Sequence, residues 1–505
     1  MRGDLKIRKI ITTSGATAVQ IVRYVGRKCV IVRHMGSAKT EQELDILIQE
    51  AECRREDLCL QPSLFPAKRD ETPLLHENHL SLQGVTHLFA HKMLRRCSQI
   101  CGLEALHPLY QDLALMRIIE PASKLRTIEL LQRYFNISYG ERTVYRLLPQ
   151  LLKQKTAIEV AAYKTACTYF DEAFALVLYD VTTLYFESHE PDDDLKARGF
   201  SKDDKSKQPQ IVVGLLVTHQ GFPLTHEVFK GNTFEGHTML GVIQDFKKRH
   251  PKANPIIVAD AAMLSKKNMQ NLAAEGYQYI VGARLANSSL SFIDKIWTQL
   301  SRTDGAAIRL AYPKGSYEVI CSYSEKRAKK DRREFAKQLV RAQDLIARQQ
   351  PGKRAKFVQK KTEDTNCFVL NEKLKEKTEK LLGIKGYITN IPQSVLSNAQ
   401  VMDCYHDLWH VEQAFRVSKT DLQTRPIFHQ THAAIRAHVL LCFMALMMSK
   451  FLEIKTGLSV RRIRDILWNV HEAQIVDSLT KKTITLQSNM EDFNETPLAK
   501  ILLSH

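Results

Sequence analysis

The period of apolar and polar positions changes several times along the chain, and each change predicts an element. Residues 17–36 (TAVQIVRYVGRKCVIVRHMG) are rich in β-branched residues on both sides of Gly26-Arg27-Lys28. This predicts a two-stranded hairpin with Arg23, Arg27, Lys28 and Arg33 available to one face. A helix is expected from Glu41 to about Cys53, and residues 60–82 mix Pro, His and charge without a period, as a linker does. From Leu88 to about Phe170 the pattern is helical. One helix opens at Pro121 and ends near Phe135; the turn Asn136–Gly140 leads into a second carrying Arg142, Tyr145 and Arg146. That spacing fits a DNA-reading helix-turn-helix and equally two packed amphipathic helices.

At residue 174 the pattern turns to short apolar strands: FALVLYDVTTLYF (174–186), IVVGLLV (211–217) and FPLTHEVFKGN (222–232). A helix from about Thr238 to Arg249, the strand NPIIVAD (254–260), a helix from about Ser265 to Glu275 and the strand YQYIVGAR (277–284) follow. Three successive strands and then helix–strand alternation predict an α/β fold with a mixed sheet covered by helices. Residues 286–385 interrupt this rhythm. Within them Ser324–Gln350 lacks Gly and Pro, repeats Phe335, Leu339, Ala342 and Ile346 at helical spacing, and carries nine Lys/Arg against four Asp/Glu. Such a helix is either a solvated charged face or a surface lying along DNA. The strand KGYITN (385–390) resumes the core pattern, with helices expected at 404–420 and 430–453. The longest apolar run, Val439–Met448, is ten residues, short of the roughly 18 that a membrane span needs.

Composition narrows the class. The 505 residues are 44% hydrophobic and 25% charged, ordinary for a globular protein and against wholesale disorder, a collagen-like fibre or a polytopic membrane protein. The basic N-terminus has no apolar core of a secretory signal. Ten cysteines stand singly without a C-x-x-C pair, so neither a disulfide framework nor a zinc site is expected, and a reducing cytoplasm fits. The net charge of +18 argues for a polyanionic partner. It is uneven: residues 1–170 carry 25 basic against 17 acidic groups, 171–290 carry 13 against 15, 291–385 carry 23 against 12, and 386–505 carry 12 against 11. Two basic blocks flank a slightly acidic one.

Two aspartates stand out in the acidic block. Asp180 interrupts a strand of Leu176, Val177, Leu178, Val181 and Leu184, and Asp260 ends the strand Ile256–Ala259. Aspartate is disfavoured in strands and costly to bury alone, so each needs a partner or a task. A third carboxylate lies on the expected helix YHDLWHVEQAFRVSK (405–419). At about 100° per residue, Tyr405, Leu408, Glu412 and Lys419 fall within one stripe about 60° wide, with Arg416 close by. Arg416 either reaches a bound phosphate or pairs with Glu412 at i,i+4 spacing. Two strand aspartates and a helical glutamate form a hard-oxygen set suited to Mg²⁺ or Mn²⁺. Two such ions can drive phosphodiester chemistry without a nucleophilic Ser or Cys. No phosphate-binding G-x-x-x-x-G-K-[ST] loop is present.

These residues resemble a family. The chain is similar to the DDE transposases of bacterial insertion sequences, in the insertion-sequence-four superfamily marked by a Y-(2)-R-(3)-E-(6)-K signature. Tyr405, Glu412 and Lys419 meet the spacing, and Leu408 stands where the signature has arginine. YDVTTLYFE (179–187), VADAAMLSKKNM (258–269), YSEKRAKKDRREF (323–335), RPIFH (425–429) and IRAHVLL (435–441) occur in the family's order, over about residues 85–450.

The resemblance implies a ribonuclease H-like mixed-sheet catalytic core interrupted by an insertion domain, behind a basic, mainly helical N-terminal DNA-binding region. The expected organisation is 1–60 hairpin plus helix, 61–170 helical DNA-binding region, 171–285 first part of the core, 286–385 basic insertion, 386–453 second part, and 454–505 C-terminal region. The 151 residues between Asp260 and Glu412 call for an insertion independently, being far longer than an ordinary connection. The implied catalytic and metal residues are Asp180, Asp260 and Glu412 with two Mg²⁺ or Mn²⁺ ions. The implied DNA contacts are Tyr405, Arg416, Lys419, Arg142 and Arg146. The implied activity is cleavage of double-stranded DNA at element ends and transfer of the 3′-hydroxyl ends to target DNA, by a homodimer in a prokaryotic cytoplasm with no membrane partner. A metal-dependent nuclease without strand transfer and an inactive DNA-binding regulator are the alternatives.

Overall fold

The computed structural model describes residues 5–58, 80–170, 175–187, 192–199, 207–261, 263, 266–312, 317–348, 356–362, 365–477 and 483–503. It divides into two compact units. One comprises Met1–Leu94, Glu129–Ser138 and Asp465–His505; the other comprises Arg95–Ile128 and Tyr139–Arg464.

In the first unit β1 (Leu5–Ile11), β2 (Thr17–Val25) and β3 (Lys28–Ala38) form an antiparallel meander. Helix α1 (Glu41–Leu58) lays Leu47 and Ala51 on Val19 and Ile21. The expected hairpin is β2–β3, its turn made by Gly26 in the left-handed region (φ 62°) and Arg27. Arg23, Arg27, Lys28 and Arg33 are all exposed. Most of the expected linker, residues 60–79, lies outside the described residues. Its end forms β4 (Leu80–Thr86), which pairs with a distant segment as described below.

The helices that follow are α2 (Leu88–Ile100), α3 (Pro108–Ile119), α4 (Lys124–Phe135), α5 (Glu141–Leu147) and α6 (Lys155–Tyr169). Helix α3 starts where His107 accepts a hydrogen bond from the Leu109 amide at 3.2 Å and proline occupies the first turn, whose amides are unpaired anyway.

The second unit is built on an eight-stranded sheet. Its strands are β5 (Leu176–Tyr185), β6 (Gln210–Thr218), β7 (Pro223–Lys230), β8 (Ile256–Ala259), β9 (Tyr279–Ala283), β10 (Ala307–Ala311), β11 (Glu318–Tyr323) and β14 (Ile384–Thr389). The order is β10-β11-β14-β9-β8-β5-β6-β7. Strands β5, β8 and β9 run parallel, and every other pairing is antiparallel. A central strand covered on both faces reads as a continuous apolar run, which is why β5 and β6 carry Val, Leu and Ile with little alternation.

Helices α7 (Met239–Arg249), α8 (Lys266–Ala274) and α9 (Leu290–Gln299) alternate with these strands. Of segment 286–385, strands β10 and β11 extend the sheet itself, and α9 packs Phe292, Ile296 and Leu300 with Val319, Tyr323 and Ile384. The rest is α10 (Glu325–Ala347), the hairpin β12 (Val358–Thr362) and β13 (Thr365–Leu370), and α11 (Glu372–Lys380).

The expected helix 404–420 is a correction. It is two helices, α12 (Asn398–His406) and α13 (Trp409–Thr420), joined through Asp407 and Leu408. A capping box between Ser397 and Gln400 starts α12 six residues before the expected boundary. Helix α14 (His432–Thr456) begins at Thr431, whose hydroxyl accepts from the Ala434 amide, and ends at Gly457 in the left-handed region. By length and composition α14 could cross a membrane, yet 89% of its most apolar window is buried inside the fold. The chain closes with α15 (Val460–Asn469), β15 (Glu472–Asp477), β16 (Thr483–Gln487), α16 (Met490–Asn494) and α17 (Pro497–Leu502). In the first unit β15 lies between β16 and β4.

Candidate active site

The register of the parallel strands defines the site. Leu176, Val177, Leu178 and Tyr179 pair with Ile256, Ile257, Val258 and Ala259 in turn. Continued by one residue, the same offset sets Asp180 beside Asp260, where β8 ends. Neighbouring strands lie about 4.8 Å apart and in-register residues share a face, so the two carboxylates emerge side by side. Asp180 is half-buried and Asp260 exposed.

Tyr405 of α12 fixes one of them. Its hydroxyl donates to Asp260 Oδ1 at 3.0 Å. The ring is 8% exposed and meets Tyr387 edge-on at 5.1 Å. Burial, then the negative charge of Asp260, push the tyrosine pKa up, so the hydroxyl stays a donor. The approach depends on Gly282 in β9, because a Cβ there would sit 2.5 Å from the Tyr405 oxygen. Above the Tyr405 ring, at 4.6 Å from its centre, lies the ammonium of Lys385. Burial and then the Arg327 guanidinium pull the Lys385 pKa down, while Asp260 and Glu412 push it back up. A cation thus stands within the field of two carboxylates.

Glu412 occupies the first turn of α13 and is exposed. The buried Val411, Ala414, Phe415 and Val417 set the rotation of that helix. Gln413 ties it to α14, donating to Glu453 at 3.0 Å and accepting from Lys450 at 3.4 Å. At its start, Gly221 in the turn between β6 and β7 lets His410 approach, where a Cβ would lie 3.2 Å from that of His410.

A family model described as the transposase DDE domain matches residues 175–448, the segment holding all of these groups. The chain belongs to that family. Among solved structures the chain is similar to a piggyBac transposase synaptic complex with hairpin DNA, solved by cryo-electron microscopy. The identity is 10% and the TM-score 0.38, over 75% of this chain and 77% of that one. No curated protein matches the chain.

Within the DDE domain the expected residues separate into groups. Tyr405 holds Asp260, the strand register continued by one residue sets Asp180 beside Asp260, and Glu412 shares the electrostatic surroundings of Tyr405 and Lys385. Among the described residues, however, no group of three or more His, Cys, Asp or Glu side chains is arranged to hold an ion. The aspartate pair itself suits Mg²⁺, which is commonly held by one or two carboxylates with water and substrate phosphates.

Arg416 is exposed one turn beyond Glu412, and among the described residues the two form no ion pair, so the i,i+4 pairing is not made. Lys419 is half-buried on the same helix. Leu408 is 8% exposed at the junction of α12 and α13; an arginine there would have to leave the apolar surroundings that leucine fills. Arg142 and Arg146 are exposed on the short helix α5, and among the described residues no contact joins them to the carboxylates. Sequence reasoning missed Lys385 and Gly282. Lys385 opens the motif KGYITN directly before a core strand, and that position was its only signal.

Proposed function

We propose that the protein cuts DNA at the ends of a mobile element and joins those ends to target DNA, with Asp180, Asp260 and Glu412 as the catalytic carboxylates. The observation that carries this reading is the in-register aspartate pair at the ends of β5 and β8, inside a chain of the DDE family. The ribonuclease H-like description is supported by the strand order β7-β6-β5-β8-β9, with its three parallel strands. The Tyr405, Glu412 and Lys419 spacing supports membership of the insertion-sequence-four superfamily, and with it a prokaryotic cytoplasm and a homodimer on DNA.

Asp180, Asp260 and Glu412 would hold two Mg²⁺ or Mn²⁺ ions. The metal supplies activation of the attacking oxygen and stabilisation of the leaving one. The chain's own groups do the rest. Tyr405 holds the Asp260 carboxylate in one orientation through its hydroxyl. Lys385 and Arg416 offset the negative charge that acids and phosphate bring together, and Arg416 presents two parallel donors to a phosphate. Lys419 grips the same strand further along α13. Water attacks the phosphodiester at the element end, breaking the P–O3′ bond and leaving a free 3′-hydroxyl. That hydroxyl then attacks a target phosphodiester, forming a new P–O3′ bond and releasing the target's own 3′-hydroxyl, with no covalent protein intermediate.

The test is incubation of the purified protein with end-bearing DNA and a target plasmid in Mg²⁺ or Mn²⁺. Joined products are expected. Cleavage without joining would reduce the reading to a nuclease, and DNA binding without cleavage would reduce it to a regulator.

A further inference from the structure

A second site in the same unit is built from charge of the opposite sign. A cavity of about 380 Å³ lies between the starts of α4 and α14 and the segment that follows α13. Arg117, Lys124, Arg425, His429 and His438 line it, and no aspartate or glutamate does. Lys124 is 4% exposed and, among the described residues, has no hydrogen bond or ion pair. Among the described residues Arg117, 7% exposed, donates only to the carbonyl oxygens of Leu422 and Gln423, at 3.5 and 3.2 Å. The nearby acid Asp193 is engaged by Lys196 and His432. Both helix starts face the cavity: Ser123 and Lys124 at α4, Thr431 and Ala434 at α14. The positive ends of the two helix dipoles add to the side-chain cations. Burying an unpaired ammonium is expensive, and among the described residues no carboxylate pairs with it. Burial, and then the charge of Arg117, lower the Lys124 pKa to about 7.

The cavity's position indicates what carries the anion. Where β8 stops at Ala259, the same edge of β5 is taken up further along by the segment after α13. The Ile427 amide donates to the Tyr185 carbonyl at 3.1 Å, and Phe186 bridges Ile427 in the parallel sense. Arg425 lies over the Tyr185 ring at 5.3 Å. From Asp180 to Tyr185 is about 17 Å along the strand, or roughly five nucleotides of one B-form strand.

We propose that this cavity is a phosphate site, in which Lys124, Arg117 and the two helix starts hold a backbone phosphate of the DNA strand that enters the Asp180–Asp260 site. The phosphate chemistry stands on the cavity alone, and its assignment to DNA rests on the function proposed above.

Full-length wild type and Lys124→Met are compared in two ways. In a thermal-shift titration, inorganic phosphate is expected to raise the wild-type Tm more than chloride at equal ionic strength, and to leave Lys124→Met unmoved. In a salt series of duplex binding, Lys124→Met should bind about tenfold more weakly at low salt. Its log–log salt slope should be smaller by about 0.9, the share of one phosphate contact. Arg425→Gln repeats both measurements should the first variant fail to fold. A phosphate shift with unchanged DNA affinity would overturn the DNA assignment in favour of a free small anion. Neither effect would overturn the site. Wild type that binds no DNA at all would sink the proposed function, while the phosphate titration still decides the cavity.

Discussion

Two buried charges in the same unit have opposite surroundings. Glu159 of α6 is 2% exposed and meets Lys155 at 3.0 Å, Arg249 at 2.5 Å and the Thr225 hydroxyl at 2.7 Å. Lys124 is equally deep, yet the charges beside it are those of Arg117 and Arg425, while burial keeps His429 and His438 neutral and Cys442 alone favours its charged form. The comparison separates two uses of buried charge. A carboxylate with its cations in place belongs to the fold. A cation whose charged neighbours among the described residues are other cations destabilises the fold until an anion arrives, as an anion-binding site requires.

Breaking the complete network should have the largest effect on stability. Glu159→Ala leaves Arg249 and Lys155 facing an empty position and is expected to cost about 3 kcal/mol in a urea titration. Lys124→Met removes a charge that lacks a partner, so its unfolding midpoint should equal or exceed that of wild type.

Gly282→Ala comes next. The added carbon forces Tyr405 away from Asp260, which should cost about 2 kcal/mol of stability and slow cleavage as well. Tyr405→Phe, which removes the hydroxyl and keeps the ring, should slow cleavage with a smaller loss of stability. If Gly282→Ala unfolds and cleaves as wild type does, the Tyr405–Asp260 contact is not a positioning device.

The pH dependence sharpens the same contrast, in two separate windows. Burial alone would raise the Glu159 pKa, but His226, Lys155 and Arg249 outweigh it and the net shift is downward. Its contribution to stability is therefore present above the unfolded carboxylate value, about 4.3, and lost as pH falls through the folded one. Glu159→Gln should flatten the acid limb of a Tm–pH curve. Lys124 titrates near 7 in the fold and near 10.4 unfolded. Between those values the unfolded chain binds more protons, so stability should rise with pH. Lys124→Met should lack that rise, and adding phosphate to wild type should diminish it.

The smallest expected change concerns Arg416→Ala: a roughly tenfold slower cleavage with an unchanged Tm, since the side chain is exposed and makes no ion pair with Glu412. Cleavage at the wild-type rate would remove Arg416 from the strand-holding surface.

Much of the sheet was legible in the sequence because its strands are buried apolar runs bounded by turns. Strands β5 to β9 and β14 lie within two or three residues of their predicted limits, and Asp180 and Asp260 stood out as acids where strands disfavour them. The break between α12 and α13 left no such mark. Asp407 and Leu408 keep helical backbone angles of −60°, −13° and −54°, −22°, and neither is Gly or Pro. Long-range pairing was equally silent: β4 meets β15 from almost 400 positions away, and no local pattern encodes that distance. Lys385, Gly282 and Lys124 matter through what the fold brings against them. Lys124 in particular looked like an ordinary surface lysine at a helix start.

The central claim is that the side-by-side aspartates at the ends of β5 and β8 are the metal-holding heart of a DNA-cutting site. Its most direct test is Mn²⁺ binding, followed by electron paramagnetic resonance, with cleavage of end DNA on the same samples. Wild type is compared with Asp180→Asn and Asp260→Asn. The account predicts that each substitution abolishes tight Mn²⁺ binding and lowers cleavage at least about a thousandfold, with Tm and DNA affinity retained. Wild-type Mn²⁺ binding and cleavage in either folded variant would contradict it.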